Sequence, residues 1–181
     1  MVGLLRLGLL LVALAAVQSA TLEYLSTDQM IDQSTAIVRA RVLDSIARRH
    51  GPLVYTHFTV KVTERLKGTG PERLDIVVPG GEAGGVRQTF AGAPALSAGA
   101  AYLLFLWTGA SGLTHVLGYS QGVFLVRADG NGEISAQRQA SGEIVLDPKT
   151  GRRIADEPVQ IRLADLKTRI GLRAARGGDA R

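Results

Sequence analysis

From Val54 the chain alternates more cleanly than anywhere else. Val54, Thr56, Phe58, Val60 and Val62 fall on one side, and Tyr55, His57, Thr59, Lys61 and Thr63 on the other. A sustained period of two marks a strand with one face in a core. A similar run precedes it: Val38, Ala40 and Val42 alternate with Arg39 and Arg41, which predicts a strand over Ala36–Ile46. His50-Gly51-Pro52 breaks the chain between the two runs, so they read as a long antiparallel hairpin. Two long leading strands favour a small, strongly coiled barrel over a sandwich.

The rest of the chain fits that start. Leu74–Val78, Val86–Phe90, Thr114–Gly118, Gly122–Val126 and Glu143–Leu146 read as short strands. Tyr102–Trp107 is a continuous apolar run bounded by glycines, the pattern of a central strand covered on both faces. Lys67–Pro71 and Pro79–Gly85 read as loops, and Gly118 and Gly122 as a sharp corner. Asp129-Gly130-Asn131-Gly132 and Asp147–Gly151 are hairpin turns, because Gly and Asn accept the positive φ that such turns need. Two helices flank the strands. Ser26-Thr27-Asp28 supplies an N-cap for a short one carrying Met30 and Ile31, and Val159, Leu163, Leu166 and Ile170 form the apolar stripe of a longer one, with Pro158 at its first position. The fold class is therefore mainly β, a small antiparallel barrel with extra hairpins, a short N-terminal helix and an amphipathic C-terminal helix. Val38, Val42, Phe58, Val60, Leu104 and Leu106 are its expected core.

Three segments follow: a leader (1–20), one domain (21–176) and a frayed tail (177–181). Leu7–Val17 is an apolar run of eleven residues after a start bearing Arg6, and small residues follow it. That is the pattern of a secretory signal, cut after Ser19 or Ala20. Eleven helical residues reach about 16 Å, half of a ~30 Å hydrocarbon core, so no transmembrane anchor is expected after processing. The expected location is periplasmic or extracellular. The formal charge of +5 is uneven: residues 21–148 sum to −1 and residues 149–181 to +5. The body is neutral, and the basic C-terminal segment is either a solvated helix face or a device drawn to anionic surfaces.

The 181 residues include no cysteine, which excludes disulfides, thiol nucleophiles and iron–sulfur chemistry. No H-x-H or H-E-x-x-H occurs, and His57 has Tyr55 and Thr59 beside it on its strand face rather than a second ligand, so neither metal nor cofactor is expected. The Gly80–Gly85 loop lacks the Lys-Ser/Thr of a phosphate loop and runs into a strand. Gly118-Tyr119-Ser120-Gln121-Gly122 fits the bare nucleophile-elbow pattern. An elbow needs a strand followed by a helix, and here both flanks read as strands. Ser120 with His57 or His115 is therefore only the rival reading, a secreted serine hydrolase. The better candidate is a surface: Arg39, Arg41, Tyr55, His57 and Lys61 share the outer face of two adjacent strands, where small barrels bind polyanions.

Ala36–Val42, Val54–Val60 ending in Leu66-Lys67-Gly68, Val78-Pro79-Gly80-Gly81-Glu82, Tyr102–Leu106, Gly118 and Gln121–Phe124 occur in a fixed order. Over Ser26–Val126 this order resembles a group of exported bacterial proteins of unassigned activity. The resemblance implies an OB-like barrel, loosely similar to the netrin-like domain of tissue inhibitors of metalloproteinases. Those inhibitors chelate through an N-terminal cysteine, which this chain lacks, so that mechanism does not transfer. The expected function is a non-enzymatic exported module that binds a protein or an extracellular polymer. Nucleic acid is disfavoured as a partner, because export removes most of it from reach.

Overall fold

A computed structural model describes residues 20–178. The leader, apart from Ala20, and residues 179–181 lie outside the described residues. In chain order the elements are β1 (Thr21–Glu23), α1 (Thr27–Gln33), β2 (Ala36–His50), β3 (Leu53–Lys67), β4 (Arg73–Pro79), β5 (Gly81–Ala83), β6 (Val86–Gln88) and β7 (Ala101–Thr108). There follow β8 (Thr114–Val116), a single 3₁₀ turn (Tyr119–Gly122), β9 (Val123–Ala128), β10 (Ile134–Arg138), β11 (Ile144–Leu146), β12 (Arg153–Ile154), β13 (Val159–Arg162) and α2 (Leu163–Gly178). The protein is mainly β with two helices, as the alternation predicts.

Eight strands form one sheet in the order β13-β10-β9-β7-β2-β3-β4-β8, and β8 also pairs with β7. Hence β2, β3, β4, β8 and β7 pair in a ring. β4 and β8 are parallel, and the other pairs of the ring are antiparallel. β8 and β9 take successive parts of one edge of β7. The β2–β3 ladder has three register shifts, between Ile37 and Val38, Arg39 and Ala40, and Val42 and Asp44. Such irregularities bend a strand and raise its twist, which lets two fifteen-residue strands curl around one core.

Side chains of alternate parity fill two separate cores. Val38, Ala40, Val42, Phe58, Val60, Ile76, Val78, Leu104 and Leu106 pack inside the ring. Ile37, Leu103, Phe105 and Phe124 point the other way, where Met30 and Ile31 of α1 and Leu163, Leu166 and Ile170 of α2 cover them. Leu103, Leu104, Phe105 and Leu106 are all fully buried, which is why β7 carries no polar alternation. All six expected core residues are buried.

Local chemistry fixes the ends. Ser26 and Gln29 form a reciprocal capping box on α1. Lys67 reaches from β3 to the Ile31 and Asp32 carbonyls at the other end of that helix. Asp129 accepts from the Asn131 and Glu133 amides in the β9–β10 turn, and Asp147 from those of Lys149 and Thr150 in the β11–β12 turn. Arg138 and Asp156 form a buried ion pair at 2.7 Å, and Ser141 donates to the same carboxylate through its amide and its hydroxyl.

Three sequence readings need correction. Val159 opens strand β13, not a helix: its register partner is Arg138, and Ile161 alternates with it into the helix-covered core. Helix α2 accordingly starts at Leu163 and extends to Gly178, two residues into the segment read as tail. The Pro79–Gly85 loop contains strand β5, paired with β6 about Gly84 and Gly85, whose positive φ values of 58° and 73° suit a two-residue hairpin turn.

Candidate functional site

The outer face of the ring is open to solvent from Arg41 onward, and its residues form rows across the strands. Arg41 lies opposite Lys61, which lies opposite Arg73. The next row is Asp44, Thr59 and Asp75. The third is Ile46, His57, Val77, His115 and Trp107, and the fourth begins with Arg48 and Tyr55. Ile46 is 53% exposed and Trp107 46%.

The first row places like charges directly opposite one another, an arrangement that costs sheet stability. Arg41 donates to the Gly99 carbonyl. Among the described residues neither Lys61 nor Arg73 has an acidic partner within ion-pair distance. Arg39 differs: Glu64 holds its guanidinium at 3.3 Å, and Glu64 also pairs with Lys167 of α2. The basic part of the face is thus Arg41, Lys61 and Arg73 rather than Arg39. Arg73 escapes the sequence reading because it stands one residue before the alternation of β4.

Aromatic and imidazole rings connect the third and fourth rows. Trp107 lies 6.2 Å from His115, His115 lies 6.2 Å from Tyr55, and Tyr55 meets His50 edge-on at 5.6 Å. Burial holds the His115 imidazole below its ordinary value, so it faces Tyr55 and Trp107 as a neutral ring. Beneath this layer His57 is 6% exposed, although its strand parity points it outward. Its Nδ1 lies 2.7 Å from Asp75 Oδ2 and its Nε2 lies 2.9 Å from His50 Nε2. The expectation that His57 lacks a histidine or carboxylate neighbour is therefore overturned. Asp75 arrives diagonally from the adjacent strand, and His50 reaches back along the hairpin from its exposed tip. A ring seven residues away and a carboxylate eighteen residues away in sequence leave no motif to find.

Ser120 Oγ donates to Glu143 Oε2 at 2.7 Å rather than bonding to a histidine, and both ring nitrogens of His57 are engaged elsewhere. The 3₁₀ turn holding Ser120 runs into strand β9, not a helix. Its buried member is Gln121, which accepts from the Leu25 amide and donates to the Glu23 carbonyl, so the glycine-flanked turn anchors the N-terminal segment. A side chain on Gly122 would lie 2.2 Å from the Leu117 carbonyl oxygen, which explains that glycine at the corner.

A cleft of about 440 Å³ opens at the end of the ring between Phe58, Val78, Pro79, Phe90 and Pro94. Most of its polar neighbours are already occupied: Thr56 bonds to Gly80, Gln88 to Pro52 and Val54, and Arg87 to Glu82. It offers mainly apolar walls, with Thr89 the one polar side chain of its lining that makes no hydrogen bond among the described residues. Among the described residues no three His, Asp or Glu side chains converge as a metal cage requires, and no helix is long and apolar enough to cross a membrane. Four basic residues of the C-terminal segment are paired within the fold: Arg162 with Asp165, Lys167 with Glu64, Arg169 with Asp28 and Arg173 with Asp32. Comparison with protein-family models, curated proteins and solved structures finds no match to this chain.

Proposed function

We propose that this protein is an exported, non-enzymatic binding module on an OB-like barrel, and that its open outer face takes an extended anionic polymer. Export rests on the Leu7–Val17 leader pattern. The OB-like reading is supported by the ring of five paired strands with one parallel pair, β4 with β8. Barrels of that kind bind chain ligands across their second and third strands, here β3 and β4. The observation that carries the function is the row Arg41–Lys61–Arg73. Three cations opposed across neighbouring strands are a structural cost, and an anionic chain laid over them relieves it. The half-exposed Trp107 ring, with His115 and Tyr55 behind it, adds a surface for flat or ring-shaped units on the same face.

Trp107 is the sole tryptophan of the chain, so its fluorescence reports binding directly. Titration with heparin as a sulfated probe, against neutral dextran, should change the emission for heparin alone, with an affinity that falls as salt rises. Lys61→Glu with Arg73→Glu should weaken binding at least about tenfold, because two attractive contacts become repulsive. Equal responses to heparin and dextran, or unchanged affinity in the double variant, would overturn the reading.

A further inference from the structure

We infer that acid tightens the hold of this face on anionic polymers, through the proton shared along Asp75, His57 and His50. This rests on the binding reading above and adds its regulation. The two imidazole centres lie 5.1 Å apart and the two Nε2 atoms 2.9 Å apart. The difference is taken up by the two ring radii, so both nitrogens lie on the line between the ring centres. The rings therefore meet head to head, and one proton sits between them.

The positions of the other protons follow. Asp75 accepts from His57 Nδ1–H, which leaves His57 Nε2 as the acceptor and His50 Nε2–H as the donor. A first added proton goes to His50 Nδ1 at the exposed hairpin tip. It creates an imidazolium on the outer face and strengthens the His50–His57 bond, which becomes charge-assisted. A second proton, placed on His57 Nε2, finds no acceptor opposite it. Two N–H groups would then face each other, the pair must part, and His50 swings free with its charge. Asp75 is the positioning residue, because its carboxylate fixes which nitrogen of His57 carries the resident proton.

The groups around this chain have matching roles. On β2 these are Arg41, Asp44 and Arg48, on β3 Tyr55 and Lys61, on β4 Arg73 and Asp75, and on β8 His115. Arg49 lies opposite Val54 and so points to the other face. The two acids compensate part of the charge already present, and each proton added at His50 or His57 moves the face toward net positive. His115, held neutral by burial, stays outside the first step.

The test is the heparin affinity read from Trp107 fluorescence at fixed ionic strength between pH 7.5 and 5.5, where imidazoles ordinarily titrate and sulfates stay ionised. The wild-type affinity should rise about fivefold toward pH 5.5, the worth of one unit charge close to another in water. His50→Gln should bind like wild type at pH 7.5 and lack the rise. His115→Gln should keep it. Nitrogen NMR of the imidazoles gives a readout independent of ligand: His50 Nδ1 should gain its proton before His57 Nε2 does. Absence of heparin binding at every pH defeats the binding reading itself. Binding that is indifferent to pH, or a rise retained in His50→Gln, defeats this inference and leaves the binding reading standing.

Discussion

One wall of strands has two outer halves, built alike and finished differently. Around Ile37, Leu103 and Phe105 the outer face is roofed by α1 and α2 and is fully buried. From Arg41 onward, the same strand β2 presents Arg41, Ile46, Arg48 and His50 with no roof. The covered half pairs its surface with apolar side chains and supplies stability. The open half opposes like charges, half-exposes a tryptophan and buries an imidazole under another imidazole. A surface shaped by stability alone would contain none of these, so the comparison separates the part of the wall that holds the fold from the part free to meet a ligand.

The largest test of that contrast is a pair of truncations on one strand. Phe105→Ala, under the helices, should cost about 3–5 kcal/mol, as large-to-small changes in a packed core do. Trp107→Ala, two residues on and half-exposed, should cost clearly less by denaturant unfolding while weakening heparin binding measured by calorimetry, which needs no tryptophan reporter. Equal losses would mean that the open half is structural.

A smaller effect should separate the halves by pH. Burial keeps His115 below its ordinary value of 6.5, so the unfolded chain binds its proton more readily. Stability from this group is complete above that value and falls as the pH drops below it. Asp156 titrates elsewhere. Burial alone would raise its carboxyl, but the Ser141 bonds and Arg138 outweigh it and hold the group below its ordinary 3.8. Its contribution is present above that value and lost as the pH falls through the lowered one. Thermal melts should therefore decline first below about pH 6.5, a step absent in His115→Gln, and again below about pH 4, a step reduced in Asp156→Asn. A single acid transition in wild type would contradict this ordering.

The smallest effect is expected where the helices are tied by exposed charges. The Arg173 guanidinium bonds to Asp32 and holds its carboxyl below the usual carboxylate range, against a lesser opposing effect of burial. Half-exposed pairs are weak, so Asp32→Asn should change stability by less than about 1 kcal/mol and less still in high salt.

What the sequence discloses follows from what its periodicities can encode. Phe58 and Val60 announce their facing because a period of two maps directly onto the two sides of a strand. The turn chemistry of Asp129–Gly132 and Asp147–Gly151 is equally local. Val159 misleads because Val159, Leu163, Leu166 and Ile170 fit a helical stripe, while Val159 and Ile161 fit a strand; pairing with β10 decides between them. Tyr55 and His57 are legible as outward-facing residues. Their relation to Asp75, His115 and Trp107 is not, because it depends on the pairing of β8 with both β4 and β7, which no stretch of sequence carries by itself.

The two helices also set the order in which the molecule can be assembled. Arg169 meets Asp28 at 2.7 Å across 141 residues of intervening chain, and Arg173 meets Asp28 and Asp32 beside it. The α1 side of the roofed core is thus made early in the chain and its counterpart at the far end. A chain delivered N-terminus first can form the β2–β3 hairpin at once, since its contacts are local, but Met30, Ile31 and Phe105 stay uncovered until α2 arrives. During that interval one apolar face of the sheet is left exposed on a wall of strands, the condition under which β-rich chains associate with one another. Such a chain has reason to stay unfolded, or chaperoned, until synthesis has passed residue 173.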